Sequence, residues 1–159
     1  MTTIEALVLT VSDRASRGER VDVSGPRAAD LLREAGVEVR DTRVVPDDAT
    51  EIRQALRQGV AEGVDLIFTT GGTGISPTDA TPEATAAELE CHLPGLAEEM
   101  RRVGAGHHPA ALLSRAVAGT IGTTLVVNAP GSPDGVDTAI GVLTPLIGHI
   151  HHQLRGGDH

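Results

Sequence analysis

The sequence predicts an α/β fold, a parallel sheet with helices on both faces. Three observations lead there. Through the first half, short apolar runs alternate with segments whose apolar residues recur at helical spacing. The runs at 4–11 and 66–68 carry no polar face, the pattern of inner parallel strands rather than half-solvated antiparallel ones. Each strand of this half is followed by a polar cluster: Ser12-Asp13, Asp47-Asp48 and the loop 71–79. Ligands of parallel α/β sheets bind at the carboxyl ends of strands, so these distant clusters are expected to be neighbours in space.

Taken in order, the strand at 4–11 leads into a polar loop containing Gly18. Ser24-Gly25-Pro26 starts a helix with Ala28, Leu31, Leu32 and Ala35 on one face, and Gly36 ends it. Residues 37–45 alternate imperfectly and predict a second strand. Asp48, with Glu51 three residues on, has the form of a helix cap. Ile52, Ala55, Leu56 and Val60 then fall at helical spacing as far as Gly63. Strand 66–68 runs into Gly71-Gly72-Thr73-Gly74. Thr81-Pro82 is an N-cap and first-turn pair for a helix over 81–90.

The second half is less regular. Leu93-Pro94-Gly95 interrupts, and Leu96, Met100 and Val103 mark another helix. A loop over 104–109 and a short helical stretch over 110–113 follow. Segments 116–121 and 124–127 predict a hairpin around Gly122-Thr123. Ser132 and Pro133 cap and open a last helix, with Val136, Ile140, Leu143, Ile147, Ile150 and Leu154 along one stripe. Pro145 is expected to kink or divide it.

With 159 residues, the chain suits one domain over 1–159, and 40% hydrophobic residues are enough for a core. Phe68 is the only aromatic residue, so no stacking platform for single-stranded nucleic acid exists. A net charge of −9 disfavours nucleic acid and anionic membranes as partners. The lone Cys91 cannot form an internal disulfide, which fits a reducing compartment, and it is expected to pack rather than react. No leader or membrane-spanning stretch is visible, so a cytoplasmic location is expected.

The glycine loop reads in two ways. Gly-Gly-x-Gly after a strand is often only a tight turn, and this one has neither the dinucleotide spacing nor the Walker lysine. Its backbone N–H groups can also converge on an anion, with Thr69, Thr70 and Thr73 adding hydroxyls. Asp79 is placed to bind a metal ion, to hold a substrate hydroxyl, or simply to order the loop as an Asx turn. Gly131 and Ser132 form either a second anion-binding helix start or a plain cap. His149, His151, His152 and His159 gather near the C-terminus; a solvated helix end is the simpler reading, a metal pair the sharper one.

Together these strings resemble the MogA/MoaB family of molybdenum cofactor proteins and the related G domain of gephyrin. The strings are Thr69-Thr70-Gly71-Gly72-Thr73-Gly74, Asp79-x-Thr81-Pro82, Val11-Ser12-Asp13, Val45-Pro46-Asp47-Asp48, Leu113-Ser114-Arg115 and Asn128-Ala129-Pro130-Gly131-Ser132-Pro133. The resemblance spans nearly the whole chain. It implies a three-layer α/β/α sandwich with a mainly parallel sheet, and commonly a homotrimer. It further implies adenylylation of molybdopterin by ATP with magnesium, and delivery of the product to a molybdate-inserting enzyme.

By this resemblance Asp47 and Asp79 are the catalytic and magnesium-binding acids. Gly71, Gly72, Thr73 and Gly74 would cradle phosphate, with Ser12, Asp13, Ser114, Arg115, Pro130, Gly131 and Ser132 as further substrate contacts. For Arg115 the alternative is a surface ion pair, and for Asp13 a turn cap. Two other functions stay open at this stage. One is a non-catalytic pterin-binding scaffold. The other is a nucleotide pyrophosphatase like the related domain of the competence-damage proteins.

Overall fold

The apolar runs become strands buried on both faces. In the computed structural model, which describes residues 2–159, β1 (Glu5–Val11) lies parallel to β2 (Glu38–Val45) on one side and β3 (Leu66–Thr70) on the other. Next comes β6 (Thr124–Ala129), also parallel to β3. β5 (Ala118–Ile121) joins β6 as the expected antiparallel hairpin, with Ile121 opposite Thr124 across the Gly122-Thr123 turn. The two-residue β4 (Cys91–His92) closes the far edge, so the order is β2-β1-β3-β6-β5-β4. β2 alternates imperfectly because it is an edge strand whose residues are at best half-buried.

Alternation along the inner strands divides the apolar residues between two cores. Ala6, Val8, Leu66 and Phe68 point to one face, against α2 (Ser24–Glu34), α5 (Pro94–Ala105) and α6 (Pro133–Leu154). Leu7, Leu9, Val11 and Ile67 point to the other, against α3 (Ala49–Ala61) and α4 (Thr81–Glu88). The result is the expected α/β/α sandwich. Each large aliphatic side chain so buried contributes about 1.5–3 kcal/mol, and Phe68 is fully buried at the centre of one core.

Several local expectations are corrected. The polar stretch after β1 is a one-turn helix, α1 (Asp13–Ser16), capped by the Ser12 hydroxyl, which accepts from Ala15 N. Thr81 does not cap α4; its hydroxyl donates instead to Gly71 O at 2.9 Å, and the helix ends at Glu88. α5 continues through Ala105, where a loop was expected from 104, and the stretch after it is a 3-10 helix, Pro109–Leu113. Cys91 is exposed on β4 rather than packed. Pro145 lies inside an undivided α6. The flanking buried residues Ile140, Leu143 and Ile147 hold both halves on the sheet, and the Thr144 hydroxyl donates to Ile140 O at 2.7 Å.

One buried side chain ties the layers together above the core. Asn128 Nδ2 donates to Thr69 Oγ1 at 2.9 Å and to Thr85 Oγ1 at 3.1 Å, while Oδ1 accepts from Val117 N at 3.2 Å. β6, β3, α4 and the approach to β5 therefore share one amide. Asn128→Ala leaves two buried hydroxyls and the half-buried Val117 N–H short of a partner and should cost about 2–3 kcal/mol. The check is urea unfolding: the midpoint should fall with the slope unchanged.

Candidate functional site

Four parallel strands end along one rim, and their loops meet there. Gly71 follows β3 directly with φ +100°, and its N–H donates to Ala129 O at the end of β6 at 3.0 Å. A Cβ at Gly71 would lie 2.2 Å from Val11 O, so any side chain would collide with the end of β1. Gly72 has φ +66°, and a Cβ there would lie 2.3 Å from Thr81 Oγ1 and 2.9 Å from Asp47 Oδ2. The glycines thus let β1, β3, β6, α4 and the Asp47 loop close on one another. Thr70 Oγ1 donates to Pro130 O at 2.8 Å, and Gly131 packs on Gly71, which joins the second loop to the first.

Asp13, Asp47 and Asp79 are brought together by backbone hydrogen bonds. Asp13 Oδ1 accepts from Asp47 N at 2.9 Å. Asp47 Oδ1 accepts from Ala80 N at 2.9 Å, and Asp79 Oδ2 accepts from Ser76 N at 3.1 Å. Burial pushes the Asp47 carboxyl above the ordinary carboxylate range; the Ala80 N–H opposes this, and the Asp79 and Asp13 charges add to the rise.

This donor set fits a magnesium ion. Among the described residues, neither Asp47 Oδ2 nor Asp79 Oδ1 accepts a hydrogen bond, so each carboxylate keeps a free hard oxygen. Also among the described residues, no three Asp, Glu, His or Cys side chains close on one point, the C-terminal histidines included. Magnesium needs no such cage: one or two carboxylates plus substrate phosphates and water suffice.

Beside the acids opens a cavity of about 610 Å³. Its wall includes Gly72, Thr73, Gly74 and Asp79 from the first loop, and Pro130, Gly131 and Ser132 from the second. α5 and the 3-10 helix supply a mainly apolar side through Ala97, Met100, Ala110, Ala111 and Leu113, and α6 adds Asp134 and Thr138. Ser132 lines the cavity and also caps α6, its hydroxyl accepting from Gly135 N at 3.0 Å. Ser114 lines it too, its hydroxyl accepting from Ala116 N at 3.3 Å. Ser12, Asp13, Asp47, Gly71 and Arg115 stand outside the wall.

Arg115 is occupied by the loop itself. Its Nε donates to Gly74 O at 2.8 Å, Nη2 to Asp79 O at 3.2 Å, and Nη1 pairs with Glu83. Its backbone N–H donates to Thr73 O at 2.8 Å. Arg115 therefore holds the glycine loop and the Asp79 backbone in place.

Two cavity features escaped the sequence reading. His108 Nε2 lies 3.0 Å from Asp134 Oδ2, and both residues line the cavity, linking the start of the 3-10 helix to α6. Arg101 lines the cavity from α5. A usable signal for Arg101 existed: Ala97, Arg101 and Gly104 share a helix face, and small residues flanking a cation leave room for a ligand.

Comparison with known proteins matches residues 7–149 to a family described as a probable molybdopterin binding domain. Molybdenum cofactor biosynthesis protein B of Staphylococcus carnosus is 40% identical over 156 residues, covering 95% of this chain and 91% of that protein. A molybdopterin adenylyltransferase of Haemophilus influenzae is 40% identical over 132 residues, covering 81% of this chain and 67% of that protein. The crystal structure of the molybdopterin biosynthesis enzyme MoaB from Thermus thermophilus superposes with a TM-score of 0.91 at 42% identity, covering 97% of this chain and 98% of that one. Against the bifunctional cofactor biosynthesis protein of Chlorobaculum tepidum, 36% identical, the chain spans about half of the relative's length, 49%.

Two outcomes test the geometry. Gly71→Ala and Gly122→Ala both place a side chain on left-handed backbone, at about 1–2 kcal/mol each. Gly122 faces open space, whereas Gly71 meets the Val11 carbonyl. Denaturant melts should show Gly71→Ala costing about 1–3 kcal/mol more.

The second concerns pH, with a chelator present. A raised folded-state pKa means the native state holds the Asp47 proton more tightly than the unfolded chain does. That stabilisation is present at low pH and is lost as pH rises through the raised value. Asp47→Asn removes the penalty while keeping an acceptor for Ala80 N. The variant should melt higher than wild type at pH 7, and the gap should vanish below about pH 3.9, the unfolded value.

Proposed function

Since the chain belongs to the MogA/MoaB family of molybdenum cofactor biosynthesis proteins, we propose that it is a magnesium-dependent molybdopterin adenylyltransferase. An oxygen of the terminal phosphate of molybdopterin attacks the α-phosphorus of ATP. The bond from that phosphorus to the bridging oxygen of the β-phosphate breaks, and pyrophosphate leaves. The observation that carries this reading is the meeting of Asp47 and Asp79 beside a side-chain-free loop that lines a cavity.

The chain's own residues answer the main difficulty, which is bringing two anions together. Backbone N–H groups of the glycine loop and of the first turn of α6 face the phosphates. Asp47 and Asp79 would hold a divalent cation by their free oxygens. Magnesium bound there would supply charge neutralisation for the phosphates. Asp13 keeps Asp47 in position through the Asp47 N–H, and Arg115 keeps Asp79 in position through its carbonyl. The apolar wall from α5 and the 3-10 helix takes the less charged part of the substrate.

Activity is read as pyrophosphate released from ATP in the presence of molybdopterin and magnesium. Asp79→Asn should lower kcat by roughly a hundredfold or more, with a melting temperature no lower than wild type's. Retained turnover in a folded Asp79→Asn protein would contradict the metal assignment. Absence of pyrophosphate release by wild type on intact substrate would contradict the reaction.

A further inference from the structure

The cavity contains a cation that the reaction as described leaves without a task. Among the described residues that line it, Arg101 carries the only permanent positive charge. Arg101 is half-buried on α5. Its Nη1 donates to Ala116 O at 2.9 Å and to Ser114 O at 3.2 Å. Two carbonyls on one nitrogen fix the plane of the guanidinium. Those carbonyls flank Arg115, whose N–H is bonded to Thr73 O of the glycine loop. The guanidinium is thereby anchored to the segment that braces the phosphate-facing turn.

The other two nitrogens of Arg101 are free. Among the described residues, Nε and Nη2 have no acceptor, and neither belongs to the buried polar atoms left without a partner, so both reach solvent. Nε and Nη2 form the forked edge that binds two oxygens at once. Elsewhere in this protein the same fork takes both oxygens of a carboxylate, in the pairs Arg17–Glu19, Arg27–Asp137 and Arg102–Glu99. Arg115, the arginine that the sequence pointed to, has its own fork occupied by Gly74 O and Asp79 O.

We infer that Arg101, not Arg115, is the side-chain contact for a phosphoryl group in this cavity, receiving two of its oxygens on the Nε–Nη2 fork. Fixed by its two carbonyls, the fork loses little entropy on binding. Arg101 adds a fixed positive charge to the wall of the cavity that Asp79 also lines. The inference rests on the proposed reading of the cavity as a phosphate-handling site. The phosphoryl group belongs either to ATP or to the terminal phosphate of molybdopterin.

The test is calorimetry of the full chain with three titrants: inorganic pyrophosphate, ATP with magnesium, and molybdopterin. Arg101→Met should weaken at least one titrant roughly tenfold to a hundredfold, the scale of a charge-assisted fork. Arg101→Lys should recover only part of that loss. Arg102→Met removes the same charge from an exposed pair outside the cavity and should bind like wild type. Loss on the ATP arm assigns Arg101 to the nucleotide, and loss on the pterin arm assigns it to the terminal phosphate. Pyrophosphate binding that depends on Arg101 sustains the inference even if wild type proves unable to adenylylate. Affinities unchanged on all three arms, an equal effect of Arg102→Met, or no binding of any titrant by wild type would overturn it. A folded Arg101→Met protein, checked by its melting curve, keeps these outcomes separate from loss of structure.

Discussion

Carboxylates of like charge share one corner of this protein, and the surrounding structure exists in the form needed to keep them there. Asp47 is the centre of the arrangement. Its backbone N–H is held by Asp13, its carboxylate by Ala80 N–H, and its free oxygen faces Gly72. Burial raises the cost of its charge, and Asp79 and Asp13 raise it further. Among the described residues no arginine pairs with it, and Arg115 contacts the Asp79 backbone and Glu83 instead. A chain selected only for stability would gain by neutralising this corner. Such strain, only partly offset by the Ala80 N–H, at the carboxyl rim of a parallel sheet marks a candidate functional site.

Side-chain-free backbone makes the corner possible. At Gly71 the first missing atom would strike the end of β1, and at Gly72 it would strike Thr81 and Asp47. The Thr81 hydroxyl uses the same space to bond Gly71 O. The loop is therefore held at both ends of its turn by contacts of high sequence separation. Arg115 adds a third hold from the far half of the chain, 41 residues from its partner Gly74. The cavity then depends on α5 and the 3-10 helix, which contribute its apolar side.

Much of this was written locally in the sequence. β1 and β3 carry unbroken apolar runs, Ala6 to Leu9 and Leu66 to Phe68, because both faces of each strand are covered. The Asp48 and Ser132 caps were legible because a cap involves residues three apart. Adjacency of Asp13, Asp47 and Asp79 followed from topology alone. What escaped reading depends on contacts across space. β4 is two residues long and has no periodicity to detect. Thr81 looks like a cap until Gly71 O competes for its hydroxyl. Pro145 looks like a break until packing on either side keeps the helix continuous through it. Arg101 and Arg115 differ in role only through which carbonyls each one meets, and His108 meets Asp134 from 26 residues away.

The most direct measurement is the titration of the Asp47 carboxyl carbon by NMR, with and without magnesium. The expected pKa lies above the ordinary value of about 3.9 in chelator and falls when magnesium is added, because a bound cation favours the ionised form. An Asp47 that titrates at the ordinary value and does not respond to magnesium would contradict it.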